Sequence, residues 1–275
     1  MRGFLIVVLA VVPGGLSLAE DHPWLGERRA AGTVEMRIPP PSGFERPAAA
    51  PGSFAAWLRG LPLKPGRPPV RLHDGRLKRR QGVHHAVLDI DAGDKDLQQC
   101  ADAVIRLRAE YLFSRKQLRD ISFDFTSGDR VPYVRWLEGE RPVVSGNKVT
   151  WMRSGARDDS YAGFRRYLEA VFNYAGTLSL SRQLQPVPGP GELEPGDVFI
   201  QGGSPGHAVI VLDAAVEAET GRKVFLLAQS YMPAQDIHVL KNPSDKRLSP
   251  WYPADFGKTL KTPEWTFADK DLRRF

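Results

Sequence analysis

The stretch "GELEPGDVFIQGGSPGHAVIVLD", Gly191 to Asp213, governs the reading of this chain. A Pro-Gly-Asp turn leads into an apolar run, a glycine-rich turn follows, and His207 opens a second apolar run. Two strand-length apolar runs joined by Gly and Pro predict an antiparallel pair. A histidine at a strand start beside a flexible turn has backbone room for a ligand. It can act as a general base towards a thiol or hydroxyl. The same position also suits a histidine that only closes a hairpin on a local carbonyl. What the rest of the chain brings to His207 decides between the two.

Downstream, "KVFLLAQSYM" and "DIHVLKNP" predict two further strands. Between them, Gln229, Ser230 and Gln235 can hydrogen-bond, and Tyr231-Met232-Pro233 breaks the strand with bulk. This mix fits a binding loop or an ordinary buried loop. Together with Gln201, Gly202, Gly203 and Ser204 it would line a ligand groove. His238 alternates with Ile237 and Val239, which places it towards solvent or a sheet edge. The tail, with Trp251 and Trp265 among several prolines, reads as an irregular segment packed back on the domain.

Upstream, "DDSYAGFRRYLEAVFNYAG" predicts a long helix from about Asp158, capped by Asp158-Asp159 and ended by Gly176. "LSLSRQLQPV" continues it as a shorter helix or turn. "GDRVPYVRWLEG" suggests a short helix and "NKVTWMR" a strand. "HHAVLDIDAG", a helix from about Asp94 to Ser114, and "DISFDFTSG" form a β-α-β pattern. His84 and His85, adjacent on a strand, point to opposite faces, one expected buried and one exposed. Asp74-Gly75 marks a tight turn, and the basic run from Arg76 to Arg80 beside it reads as solvated. "SFAAWLRGLPL" predicts a short helix. Residues 20–52, rich in Pro and Ala, read as a flexible lead-in. Residues 53–275 then form one globular domain, with an N-terminal extension at 53–150 and a core at 151–275.

Cys100 is the only cysteine of the 275 residues, so no intramolecular disulfide exists. Leu97, Cys100, Val104, Leu107 and Tyr111 follow helical spacing, which makes Cys100 a candidate core residue. Capping by Asp94 or Asp96 would also place it in the first two turns, where backbone N–H groups favour a thiolate nucleophile. Both readings stand. No His, Cys or carboxylate spacing suits zinc, and no cofactor is expected.

Composition is that of a globular protein, 42% hydrophobic and 25% charged. Residues 1–19 carry Arg2, the apolar run Phe4–Val12 and small residues at 17 and 19, the pattern of a signal peptide. The expected mature protein is exported, periplasmic or secreted, with no transmembrane segment. The formal charge of +6 for the whole chain, +5 once Arg2 leaves with the signal peptide, favours an anionic neighbour such as the cell wall or a membrane surface. Scattered basic residues without a recognition module argue against nucleic acid.

Over about residues 158 to 240, "SYAGFRRYLEAVFNYAG", "LEPGDVFI", "PGHAVIVLD" and "KVFLLAQS" follow the order of parts in the NlpC-type papain-like peptidases of bacterial cell walls. The resemblance implies an α+β papain-like core, an antiparallel sheet with packed helices and a β-α-β extension. It also implies thiol hydrolysis of peptide or amide bonds in cell-wall material. His207 carries over as the base. The family's nucleophile position falls on Tyr161, or Ser160 in a looser register. Its third catalytic position falls on Leu226 or Leu227, with Gln229 the nearest polar residue. Cys100 would then be the nucleophile, with Gln229 orienting the imidazole and Ser160 the fallback. Otherwise the fold is a non-catalytic module for a cell-wall peptide or other envelope ligand. Across most of its length the chain also resembles the domain-of-unknown-function family 4846, on "DLQQCADAVIRLRAEYL", "PGDVFIQGG" and "LLAQSYMPAQDIHVLKNP". That family brings no established activity.

Overall fold

In the computed structural model, which describes residues 21–26 and 31–275, short elements come first. The expected signal peptide lies outside the described residues. The lead-in holds α1 (Val34–Arg37) and β1 (Phe44–Glu45), so residues expected to have little structure are packed against the sheet. In α2 (Phe54–Arg59), Ser53 caps the helix by accepting from the Ala56 amide. β2 (His84–Val87) precedes α3 (Cys100–Ser114). Next come β3 (Ser122–Asp124), β4 (Arg130–Pro132), α4 (Tyr133–Leu137) and the hairpin of β5 (Glu140–Ser145) with β6 (Lys148–Arg153).

α5 (Tyr161–Tyr174), α6 (Thr177–Gln183) and β7 (Gln185–Pro186) lead to the central strands. These are β8 (Val198–Gln201), β9 (His207–Glu217), β10 (Lys223–Gln229) and β11 (His238–Leu240). The tail supplies β12 (Tyr252–Pro253), β13 (Thr259–Lys261), β14 (Thr266–Ala268) and β15 (Leu272–Arg274).

The architecture is mixed α+β. Among the described residues the main sheet has nine strands in the order β2-β11-β10-β9-β8-β15-β7, with β1 on β9 and β12 on β10. The pairings are antiparallel. β9 reads as an unbroken apolar run because both faces of the sheet are covered. Ala208, Ile210 and Leu212 join the core under α3, with Val104 and Leu107. Val209 and Val211 join a second core with Phe225, Leu227, Leu260 and Phe267. That second cover is built by the C-terminal tail, whose hairpin β13–β14 and strand β15 make it ordered rather than irregular.

Three helix boundaries differ from expectation. α3 starts at Cys100 rather than near Asp94: the backbone amide of Gln99 is held by the side chain of Asp102 at 3.0 Å, which closes the first turn there. α5 is capped by Ser160, whose hydroxyl accepts from the Gly163 amide at 3.0 Å. Asp158 acts one step back, on the Ser160 amide and hydroxyl. Gly176 is extended and is not the residue that ends α5; Ala175 is.

Candidate functional site

Cys100 is the first residue of α3, and α3 packs on β9. The backbone N–H groups of Ala208, Ala101 and Cys100, the first being the residue after His207, favour the Cys100 thiolate. The first N–H groups of a helix have no intrahelical acceptor, so this is the end of α3 able to hold negative charge. Cys100 and His207 line one cavity of about 500 Å³, walled also by Asp96, Asp102, Gly203–Gly206, Tyr231, Met232 and Trp265. The thiol and the imidazole share this space without a hydrogen bond between them. Catalytic contacts of this kind often tighten only when substrate binds.

His207 is 1% exposed and has its tautomer set by a chain of partners. Its Nε2 lies 2.8 Å from Gln229 Oε1. The Gln229 amide nitrogen donates to Glu264 Oε2 at 2.8 Å and faces His238 Nε2 at 3.4 Å. A carboxylate can only accept, so Glu264 forces the amide NH₂ towards itself and Oε1 towards His207. His207 Nε2 must then carry the proton, leaving Nδ1 as the basic nitrogen. His238 fits the same logic: its Nδ1 donates to the Asp236 carbonyl at 2.8 Å, which leaves Nε2 to accept. Lys78, buried, pairs with Glu264 Oε1 at 2.9 Å and neutralises it.

Register brings these groups together. Gln229 and His238 are paired residues on β10 and β11, and Gln201 and His207 on β8 and β9. The rings of Tyr231 (4.9 Å between centroids), Trp265 (5.3 Å) and Phe267 (6.0 Å) enclose the imidazole. Trp265 is held by its indole N–H donating to Gln201 Oε1 at 2.9 Å.

This enclosure sets the charge states. Burial lowers the His207 imidazole to about 4, against the partial support of Gln229 and Glu264. Burial also raises the Cys100 thiol to about 11, helped by the Asp102 carboxylate and opposed by the three N–H groups. Both shifts favour the uncharged thiol–imidazole pair over the ion pair. Asp102 itself is pushed up to about 8 by burial, and its Oδ1 has no partner. His238, fully buried, is lowered to about 3, mainly by burial.

The structure brings Cys100, His207 and Gln229 into one assembly, and Gly203, Ser204 and Tyr231 onto the cavity wall. Other expected lining residues sit behind the wall. Gln201 positions Trp265. Gly202 packs on α6, where an added Cβ would lie 2.2 Å from Ser181 Oγ. Ser230 is buried, its hydroxyl 2.9 Å from the carbonyl oxygens of both Gln98 and Gln235, to one of which it donates. Gln235 is buried, with both side-chain polar atoms unpartnered. Ser160 is exposed and occupied as a helix cap. Tyr161 donates to Glu110 Oε1 at 2.7 Å inside the buried Arg106–Glu110 cluster. The helix that faces His207 is therefore α3, and α5, which the resemblance indicated, contributes no nucleophile.

Three supports escaped the sequence reading. His238 is fully buried rather than solvent-facing. Lys78, from the basic run expected to be solvated, is turned inward to Glu264. Glu264 stands between Pro263 and Trp265 in the tail, and that flanking tryptophan was its only signal. Of the histidine pair, His84 is buried and its Nε2 donates to the Pro68 carbonyl at 3.0 Å, while His85 is half-buried rather than exposed.

Among the described residues no group of three His, Cys, Asp or Glu side chains is placed to hold a metal, and no helix is long and apolar enough to cross a membrane. Residues 34–274 match the family described as domain of unknown function (4846), and the chain belongs to that family. No curated protein and no solved structure matches the chain.

Proposed function

We propose that this member of the domain-of-unknown-function family 4846 is a papain-like thiol hydrolase of amide bonds. The observation that carries the reading is the fixed tautomer of His207, with Nε2–H held by Gln229, in the cavity where Cys100 opens α3. A thiol at a helix start, an imidazole on one strand and an amide on the next divide the labour of acyl transfer. In the first step His207 Nδ1 takes the Cys100 proton as sulfur attacks the substrate carbonyl carbon. The N–H groups of Cys100 and Ala101 stabilise the oxyanion. As the tetrahedral intermediate collapses, the C–N bond breaks and the imidazolium gives its proton to the leaving amine. Water, deprotonated by the same imidazole, then attacks the thioester and releases the acid and the thiol. Gln229 keeps the ring aligned throughout.

The charge states make this a general-base mechanism: the proton leaves sulfur during attack, because the resting thiol is far above neutral pH. The resemblance to cell-wall peptidases, the papain-like order of parts and the expected export support cell-wall peptide as the substrate class. The test is mass spectrometry of muropeptide mixtures incubated with wild type, Cys100→Ala and His207→Ala. Cleavage by wild type alone, with a trapped acyl adduct on Cys100, is expected. No cleavage, or equal cleavage by all three, defeats the reading.

The raised thiol favours a second reading: a non-catalytic module that binds an envelope peptide in the same cavity. It predicts muropeptide binding by wild type and Cys100→Ala alike, with no adduct.

A further inference from the structure

Away from the Cys100 cavity, a second one of about 660 Å³ is lined by Arg67, Arg80, Lys241 and Lys246, with His85 between them. Its cations arrive from three chain segments: the loop before the Asp74-Gly75 turn, the turn entering β2, and the loop after β11. No carboxylate lines the cavity. Elsewhere in the molecule arginines and lysines are widely paired, as at Asp213, Asp91, Asp158 and Asp197. These four head groups make no ion pair or hydrogen bond among the described residues. Like charges gathered without compensation cost folding free energy unless a ligand of opposite charge is the reason for them.

The scaffold beneath them is rigid. Asn242, buried on the cavity wall, donates to the Trp251 carbonyl at 2.9 Å and accepts from the Ser244 and Asp245 amides at 2.9 and 3.1 Å. The Lys241 amide donates to the Val83 carbonyl at 2.9 Å, tying the two basic loops together. The field of this patch is felt by His85, which burial first, and then Arg67 and Lys241, lower to about 4.

We propose that this cavity binds a phosphate-bearing ligand carrying two or more negative charges. Guanidinium forks match phosphate oxygens bidentately, and ammonium groups supply point charges beside them. Four cations exceed what a single carboxylate needs, and the volume admits a phosphate with the group that bears it. Arg80 belongs to the basic run whose Lys78 holds Glu264, and Pro263 of the wall precedes Glu264. The site is thus one residue away from the His207 support, yet shares no lining residue with the Cys100 cavity.

Calorimetric titration with inorganic pyrophosphate at low ionic strength tests this. Wild type binds, Arg80→Ser/Lys246→Ser binds about five- to tenfold more weakly, and Lys148→Ser/Arg153→Ser, on the exposed β5–β6 hairpin, binds as wild type. Arg80 and Lys246 are exposed and unpaired, so their loss leaves folding intact, which a melting curve verifies. Saturation also raises the His85 titration midpoint in proton NMR. Co-sedimentation with cardiolipin-containing vesicles, whose headgroup carries two phosphates, lost in the Arg80→Ser/Lys246→Ser variant, assigns the phosphate to a lipid headgroup. Pyrophosphate binding without sedimentation assigns it to a soluble ligand. No pyrophosphate binding by wild type, or equal binding by both double variants, overturns the proposal.

Discussion

Two positions of β9 treat a buried polar side chain in opposite ways. Within the strand Asp213, fully buried, accepts from Arg59 Nε at 2.7 Å, from Arg46 Nε at 2.6 Å and from the Ala214 amide at 2.9 Å. Both carboxylate oxygens are consumed. At the start of the strand His207 is just as buried, but only Nε2 is engaged, and the residue lines a cavity. A polar residue with every bonding position filled holds the fold together. One with a single position left over, in the wall of a cavity that a thiol also lines, is the candidate for chemistry.

The sharpest way to break this contrast is at Cys100. On the proposed thiol-hydrolase reading, Cys100→Ala lowers amide hydrolysis by at least about 10⁴-fold while leaving the urea midpoint nearly unchanged. Alkylation of the wild-type thiol by iodoacetamide climbs with pH towards about 11; a plateau between pH 5 and 8 would instead reveal a preformed ion pair. Asp213→Ala does the reverse: it strands Arg59 and Arg46, costs about 3–5 kcal/mol of stability, and shows in denaturation, not in kcat. An unmoved midpoint would remove one side of the comparison.

Gln229→Ala tests the support of the ring. It should lower kcat about a hundredfold with KM little changed, since Glu264 can then no longer set the tautomer of His207 through the amide. Equal losses in kcat and KM would assign Gln229 to substrate instead. Gly206→Ala probes the turn before His207, where an added Cβ would lie 2.5 Å from both the Gly203 carbonyl and Thr177 Oγ1. Overpacking of this kind costs about 1–3 kcal/mol, read by thermal melting, with a further loss of activity as His207 shifts.

A further effect is on acid stability. His207 and His238 are held at about 4 and about 3, below the ordinary 6.5. A depressed histidine contributes stability that is fully present above pH 6.5 and lost as pH falls towards those values. Stability should drop by on the order of a few kcal/mol between pH 6.5 and 4, and His207→Gln should flatten part of that slope. An unchanged slope in the variant would mean that carboxylates alone govern the decline.

The sheet was legible because β8, β9 and β10 are apolar runs bounded by Gly, Pro and Asp, and because both faces are covered the runs are unbroken. Cys100, His207 and Gln229 were legible as residue types at element boundaries. Their supports were not. His238 alternates with apolar neighbours, a pattern that reads as solvent-facing, and only the pairing of β11 between β10 and β2 buries it. Lys78 sits in a basic run and Glu264 in a Pro-rich tail; long-range packing alone makes them partners. α3 and α5 both carry an apolar stripe, and sequence order pointed to α5. Packing on β9 is what distinguishes α3.

The C-terminal hairpin gives this assembly a timetable. The thiol is residue 100, but the carboxylate that sets the imidazole tautomer is residue 264, near the end of the chain. At about 5–20 residues per second, a ribosome takes roughly 8–30 s to travel between them. During that interval the thiol exists without a correctly held imidazole. Chains that stop short of the hairpin carry the cysteine but leave Gln229 free to turn, so completeness of synthesis is itself a condition on the site.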